Sequence, residues 1–286
     1  MSLAAGVALP PRGRRLPWVA LTVVALTILV AASAGWIAPH DPEAIDPINA
    51  TLPPVFLDGG TSDYLLGTDR LGRDILSRIL HGARLSLGVA AVALALGGSV
   101  GTLLGLIAGY RGGWADALIM RLADTFLAFP SVLIALVLAV TVGPGFWVVA
   151  LVLGLVLWAR FARLVRGEVL SWKARDFVAL ARVAGAGGPY IVLHHILPNI
   201  VNSLVVLCTL QVGWAIVVEA SLTFLGAGIP PPAPTWGGMV AEGLDFIETA
   251  WWISVMPGVA ILVVVFAFNL LGDWLRDWLD PQLRSV

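Results

Sequence analysis

Charged residues are scarce in this sequence, making up 12% of its 286 residues, while 59% are hydrophobic. Because about a quarter of the residues in a water-soluble domain are charged, the composition excludes an ordinary soluble protein. The mean hydropathy of +0.92 indicates a polytopic membrane protein embedded in the lipid bilayer. There is one cysteine, Cys208, which excludes an internal disulfide, so the fold does not depend on an oxidising compartment.

Motifs for nucleotide chemistry and for metal binding are also absent from the sequence. No phosphate-binding loop of the type Gly-x-x-x-x-Gly-Lys-Ser/Thr occurs, so the sequence does not indicate that this chain hydrolyses ATP itself. His194 and His195 are adjacent and point to different sides of a helix, which disfavours a metal site. Ser99 lies among glycines, as in an intramembrane serine hydrolase, but no histidine lies within an apolar run to act as its base. A helix-packing face is the better interpretation of this segment.

Apolar runs long enough to cross a bilayer as helices predict an all-α fold with six transmembrane spans. The runs cover residues 18–38, 85–108, 115–142, 146–164, 200–225 and 251–271. The first is longer than the apolar region of a signal peptide and lacks a clear cleavage pattern, so we interpret it as an uncleaved span. Glycines in the second run predict close packing against another helix, because small residues bring helices together in lipid.

The segments between these runs predict the organisation of the chain. We expect a cytoplasmic tail with the first span at 1–38, an extracytoplasmic loop at 39–83, a core of five spans at 84–280 that includes a cytoplasmic loop at 167–197, and a short cytoplasmic tail at 281–286. Within the outer loop, residues 70–80 predict an amphipathic helix along the membrane surface. Asp69 can cap that helix, and the run 67–74 is interpreted as structural rather than as a metal site.

The distribution of basic residues predicts the orientation. If the N-terminal tail with Arg12, Arg14 and Arg15 is inside, six spans place the longest basic loop and the C terminus inside as well. The two turns left outside, at 143–146 and 226–250, contain no Lys or Arg. Both termini are therefore expected in the cytoplasm.

The most informative segment is the basic loop at 158–199, which is too long for a simple connection between two spans. Residues 174–184 are good helix formers, and Gly185 predicts the end of this short helix, since glycine readily takes the left-handed conformation that caps a helix. Helix is expected to restart at 191–197, and Pro198 to begin the fifth span. We interpret the loop as a docking site for a cytoplasmic partner; an ordinary positive-inside loop is the alternative.

Ionisable residues inside the predicted spans mark further candidate sites, because a charge in lipid is costly and usually faces protein or water. Arg121 has the spacing to pair with Asp116 or Asp124 on its own helix. Glu219, close to Ser221, is a candidate for the translocation path or a gate, with a structural hydrogen bond as the alternative.

Proline stiffens the outer turn that follows the fifth span. The turn contains Pro230, Pro231, Pro232 and Pro234 and is expected to present Trp236. The indole is expected either to contribute to a rigid outer surface or to anchor the turn at the lipid interface.

Five blocks of sequence resemble the permease subunits of ABC importers. The loop at 158–199 is similar to their EAA loop, and LLGTDRLGRDILSRILHGARLSL at 65–87 resembles the C-type permease of dipeptide, oligopeptide and nickel importers. The same family is indicated by the blocks AGYRGGWADALIMRLADTFLAFPSVLIAL (108–136), EASLTFLGAGIPPPAPTWGGMVAEG (219–243) and AFNLLGDWLRDWLDP (267–281). The resemblance extends over about residues 15–282. It implies the type I ABC importer fold, with a cytoplasmic coupling helix between the fourth and fifth spans.

The resemblance implies that the short helix fits a groove on an ATPase subunit. The contacts are then expected from Phe177, Val178, Leu180, Ala181, Arg182 and Gly185. The family loop usually reads Glu-Ala-Ala where this chain has Ala179 and the two residues that follow it, Leu and Ala. With no acid at position 179, coupling is expected to depend on the shape of the helix more than on a salt bridge.

The resemblance further implies a second, related permease, two ATP-binding subunits or a fused pair, and an extracytoplasmic substrate-binding protein that docks on the outer surface. ATP and magnesium are then bound by the ATPases, with no cofactor on this chain and no nucleic acid among its partners. The expected function is non-enzymatic import of di- or oligopeptides by alternating access, in the cell (inner or plasma) membrane of a prokaryote. Nickel, glutathione or another small solute stay open as substrates, as does an ATP-independent secondary transporter.

Overall fold

The computed structural model of the chain describes residues 16–279. The predicted tail arginines Arg12, Arg14 and Arg15 and the tail at 281–286 lie outside this range. Within it the chain is helical and forms no β-strand, in agreement with the all-α prediction. The helices are α1 (Trp18–Ile37), α2 (Ile75–Arg111), α3 (Gly113–Ala128), α4 (Ser131–Val142), α5 (Phe146–Lys173), α6 (Asp176–Val183), α7 (Gly188–Ile191), α8 (Leu197–Phe224), α9 (Trp236–Gly243) and α10 (Trp252–Leu279).

The predicted number of membrane spans is confirmed, but one span is bent. Five helical stretches of the described chain are long and apolar enough to cross a membrane, and the pair α3 and α4, counted as one span bent by 92°, makes six. A continuous third span at 115–142 is therefore wrong. Pro130 has no amide hydrogen and restricts the residue before it, and Phe129 is accordingly extended, with φ −95° and ψ 148°.

Helix α2 begins within the predicted loop at 39–83 and continues without a break into the membrane. The predicted surface helix at 70–80 is therefore wrong, because its second half forms the first turns of this span. Asp74 caps the helix, since its side chain accepts a hydrogen bond from the Ser77 amide at 2.9 Å. Asp69, the predicted cap, instead accepts a hydrogen bond from the Arg73 amide at 3.0 Å in the preceding turn.

A row of glycines on α2 forms its contact with α5. Gly97, Gly101, Gly105 and Gly109 recur every four residues and lie against α5. A Cβ atom at Gly97 would lie 2.7 Å from the carbonyl oxygen of Gly154, so the two backbones are nearly in contact. The close packing predicted from the glycines of the second span is confirmed.

Short helices close the two ends of the bundle. One end carries α6, between α5 and α7, and we name it the α6 end. The other carries α9 and the loop at 38–74, and we name it the α9 end. After α6, helix resumes at Gly188, earlier than the predicted restart at 191, and passes through a π-helical segment, Val192–Ile196, into α8. This uninterrupted helix connects the α6 end directly to the membrane core.

Candidate functional site

The short helix α6 ends where the sequence predicts. Gly185 has a φ of +87°, in the left-handed region that favours glycine. Its amide donates to the Arg182 carbonyl at 3.1 Å, and the Ala186 amide donates to the Ala181 carbonyl at 3.0 Å. This pair of hydrogen bonds is a Schellman cap, which satisfies carbonyl groups that the helix end leaves free. The predicted helix end at Gly185 is confirmed.

One side of α6 is anchored to the bundle. Val178 is fully buried and packs with Val165 and Val169 of α5 and with Ile191. Ala181, about one turn later, is half-buried against the same cluster. These two side chains were expected to contact an ATPase. The structure instead turns them toward the bundle, because burying their apolar surface is what holds the short helix in place.

The opposite side of α6 is exposed and largely apolar. Leu180 is 68% exposed, and Phe177 and Arg182 also lie at the surface. Val183, which the sequence did not single out, is 87% exposed. Its spacing of three residues from Leu180 places both on the same face of the helix. An apolar surface on a short helix at the end of the bundle indicates a place where another protein docks.

Three helix ends meet at Tyr110 of α2, at the α6 end of the bundle. Lys173, the last residue of α5, donates to the Tyr110 carbonyl oxygen at 2.5 Å and lies over the Tyr110 ring. A Cβ atom at Gly188, the first residue of α7, would lie 2.9 Å from the same ring. The ends of α2 and α5 and the start of α7 therefore meet at this tyrosine.

Buried ion pairs hold the α9 end together. The Arg73 guanidinium donates to Asp69 at 2.6 Å and to Glu242 of α9 at 2.5 Å. Arg78, which is 1% exposed, donates to the same Glu242 carboxylate at 3.3 Å. Buried charges need partners of opposite sign, and these provide them for one another. The run 67–74 is thus structural, as the sequence indicates, while its partner on α9 was not foreseen.

Trp236 lies inside the molecule. Its side chain is 2% exposed, and its Nε1 donates to the Ile79 carbonyl oxygen at 2.9 Å. A Cβ atom at Gly82 would lie 2.7 Å from the indole, so this glycine provides the space for the ring on α2. The expectation that the outer turn presents Trp236 at the surface is therefore wrong. Burial of a large ring with its N–H satisfied fixes α9 against α2 instead.

Glu219 of α8 is fully buried and joins α8 to α2. Ser86 of α2 donates to its Oε2 at 2.8 Å, and Thr223 donates to its Oε1 at 3.0 Å. Ser221 instead donates to the Val217 carbonyl oxygen at 2.7 Å and lines an apolar cavity of about 340 Å³ beside α9 and α10. The two candidate path residues therefore do not share one site. Their role in the path stays a prediction.

Ion pairs between α5 and α3 replace the pairing expected within α3. Arg166 donates to both carboxylate oxygens of Asp116, at 3.1 and 2.7 Å, and Arg163 pairs with Asp124. The predicted pairing of Arg121 with these carboxylates is wrong, because both carboxylates are taken by α5 and Arg121 is exposed. The two acidic side chains of α3 thus contact α5.

Ser99 lines a cleft of about 580 Å³ between α2 and α8, and its neighbours there include Phe161 and Cys208. Neither a histidine nor an acidic side chain lines this cleft, so a hydrolase reaction at Ser99 gains no support. In the described part of the chain, no three His, Cys, Asp or Glu side chains are grouped so as to hold a metal ion.

The chain is similar to known transport proteins over most of its length. Residues 101–285 match the family described as "Binding-protein-dependent transport system inner membrane component", and residues 12–54 match "N-terminal TM domain of oligopeptide transport permease C". The di/tripeptide transport system permease protein DppC of Pseudomonas aeruginosa is 44% identical over 268 residues, which cover 93% of this chain and 88% of that protein.

Two further relatives carry related names. The dipeptide transport system permease protein DppC of Haemophilus influenzae is 41% identical, over 93% of this chain and 90% of that protein. The glutathione transport system permease protein GsiD of Pectobacterium atrosepticum is 42% identical, over 92% of this chain and 85% of that protein. These relatives are transport permeases rather than enzymes. The chain therefore belongs to the binding-protein-dependent transport family, the multi-pass inner membrane permease subunits of ABC importers with the type I fold.

Proposed function

We propose that the chain is the permease subunit through which short peptides are imported. The relatives are named for di/tripeptide, dipeptide and glutathione transport, and glutathione is itself a tripeptide. These solutes share amide groups and free carboxylates, none of which nickel has. The family is also named for its dependence on a binding protein, which disfavours a secondary transporter that works without partners.

The partners are assigned to the two ends of the bundle. A second, related permease completes the translocation path, and two ATP-binding subunits, or a fused pair, bind ATP and magnesium at the α6 end. The extracytoplasmic binding protein docks at the α9 end. In this orientation both termini are cytoplasmic, as the distribution of basic residues favours.

The observation that supports ATPase docking at the α6 end is the arrangement of side chains on α6. Its apolar side, with Phe177, Leu180 and Val183, is exposed, while Val178 anchors the other side to α5 and Ile191. A helix of this kind seats in a groove of an ATPase and moves as a unit with the spans. When ATP closes the ATPases, the movement reaches α5 and α8 through the buried anchor and reaches α2 through its contact with the end of α5.

A path or gate role of Glu219 is part of the same proposal and has its own test. The carboxyl group lies between α2 and α8, so a relative movement of these helices changes its contacts. Glu219→Gln keeps the size of the side chain and removes its charge. Uptake that is unchanged in this variant would leave Glu219 with a structural role alone.

Transport by the complete complex tests the proposed function. The two permeases, the ATPases and the loaded binding protein are assembled in proteoliposomes, and uptake of a labelled dipeptide, of glutathione and of Ni²⁺ is measured with and without ATP. We expect ATP-dependent uptake of at least one peptide and none of Ni²⁺. Uptake of Ni²⁺ without peptide uptake would contradict the proposal.

A further inference from the structure

One face of α5 changes from buried to exposed along the helix. Val149, Val152 and Val156 lie three or four residues apart and are at most 5% exposed. The same face continues through Arg160, which is half-buried, to Arg163, whose side chain is 53% exposed. Neighbouring helices thus cover this face toward the α9 end and leave it open toward the α6 end. Arg160 lies at the boundary between the covered and the open part of this face.

Arg160 has hydrogen-bonding capacity that residues 16–279 of the chain do not use. Its Nη1 donates to Gln211 Oε1 at 2.8 Å, and its guanidinium lies 4.2 Å from the centre of the Trp214 ring. Arg163 and Arg166, the next arginines on α5, each pair with a carboxylate, whereas no carboxylate in the described part of the chain pairs with Arg160. A guanidinium has five N–H donors in a planar fork, so an edge of the fork stays available.

The position of Arg160 along α5 places this charge inside the membrane. The uncharged stretch from Phe146 to Ala159 measures about 21 Å at 1.5 Å per residue, and the hydrocarbon core of a bilayer is about 30 Å thick. A charge at that depth faces protein or water rather than lipid. The exposed ion pair of Arg163 with Asp124 on α3 needs the same environment. The open face of α5 therefore faces water or the second permease of the proposed function, and the translocation path lies between that permease and this chain.

We propose that Arg160 binds a carboxylate of the transported solute as the solute passes α5, an inference that rests on the proposed peptide transport. Trp214 covers one face of the guanidinium and Gln211 holds one of its donors, so the open edge is presented in a fixed orientation. A carboxylate accepts two parallel hydrogen bonds from such an edge. Every linear short peptide has a C-terminal carboxylate, so the site recognises a feature that does not depend on the side chains of the peptide.

The test uses the complete transporter in proteoliposomes, with the binding protein saturated by a dipeptide or by the same dipeptide with a C-terminal amide. In Arg160→Gln, uptake of the free acid is expected to fall about tenfold or more, while uptake of the amide changes less than about twofold. Comparing the variant with the wild type for each solute removes any preference of the binding protein. Stimulated ATPase activity checks that the variant complex assembles. Equal losses for acid and amide, or no loss for either, would overturn the proposal.

Arg163→Gln is the matched control, because it removes the same charge from the same face but from a side chain that already pairs with Asp124. Its uptake of the free acid is expected to fall less than about threefold. A loss equal to that of Arg160→Gln contradicts a specific site. Arg160→Lys keeps the charge without the planar fork, so its uptake is expected to lie between those of the wild type and Arg160→Gln.

The outcomes separate this inference from the proposed function. A wild-type complex that imports no peptide overturns both. A wild-type complex that imports the dipeptide, together with an Arg160→Gln complex that imports it equally well, overturns only the carboxylate site.

Discussion

The two ends of the bundle use charge in opposite ways. At the α9 end, Arg73 and Arg78 are at most 3% exposed and pair with Glu242 inside the protein. At the α6 end, Arg182 is exposed, and the buried anchor of the short helix is the apolar Val178. In the sequence, both ends are charged segments between apolar runs. The difference lies in whether the charges are turned inward or outward.

This difference in the use of charge indicates a different role for each end. Buried ion pairs fix one arrangement of α9 and the loop at 38–74, since each charge must keep its partner. In the proposed function, the α6 end leaves recognition to the shape of an apolar surface that a partner subunit contacts. In that proposal, one end forms fixed contacts within the chain, and the other forms contacts with a partner chain.

The largest effect is expected from breaking the buried ion pairs. Arg73→Met leaves Arg78 as the one guanidinium against two carboxylates, Asp69 and Glu242, so a buried negative charge is uncompensated and the free energy of unfolding is expected to fall by about 3–5 kcal/mol. Arg70→Met is the matched control, because Arg70 is exposed and forms no ion pair in the described part of the chain. The measurement is the midpoint of thermal unfolding in detergent. Equal midpoints for the two variants would show that the α9 end does not depend on its charges.

A smaller effect is expected from the two faces of α6. Val178→Ala removes buried methyl groups and is expected to lower the free energy of unfolding by about 1–3 kcal/mol. Val183→Ala, on the exposed face, is expected to change it by less than about 0.5 kcal/mol while weakening ATPase binding. Thermal unfolding and binding of the purified ATPase are measured for both. Equal unfolding midpoints would contradict the division of α6 into an anchor and a docking face.

The smallest effect is expected from restoring the acid that the family usually has. Ala179 is exposed, so Ala179→Glu is expected to change the free energy of unfolding by less than about 0.5 kcal/mol. If shape rather than charge determines docking, the number of solute molecules imported per ATP changes less than about twofold. A several-fold increase in that ratio would show that the α6 end depends on charge after all.

Local features of the fold were predictable from the sequence. The apolar runs predict six spans, and Gly185 predicts the end of α6, because the length of a span and the cap of a helix are set by neighbouring residues. Pro130 also carried a local signal for the bend in the third span. The residues on both sides of Pro130 are apolar, so the run was interpreted as one continuous span.

Long-range contacts were not predictable in this way. Glu242 is 169 residues from Arg73, and no local pattern connects the two. From the sequence, Trp236 is expected at the membrane interface or on a rigid outer surface. In the structure it is buried, because Gly82 of α2 leaves space for its ring. Arg121 has the spacing to pair within α3, but α5 supplies arginines that reach the same carboxylates. In each case the residue that determines the contact lies on another helix.

The coupling role of α6 is tested most directly by the glycine that ends it. A Cβ atom at Gly185 or at Gly187 would meet no other heavy atom within 4 Å beyond its chain neighbours, but only Gly185 has a positive φ, +87°, against −68° for Gly187. Gly185→Val therefore strains the cap, whereas Gly187→Val does not.

The deciding measurement is the amount of dipeptide imported per ATP hydrolysed by the reconstituted complex. We expect a fall of about tenfold or more in Gly185→Val, with membrane insertion intact, and a change of less than about twofold in Gly187→Val. Normal stimulated ATPase activity and normal uptake in Gly185→Val would contradict the proposal that the shape of α6 couples ATP hydrolysis to transport.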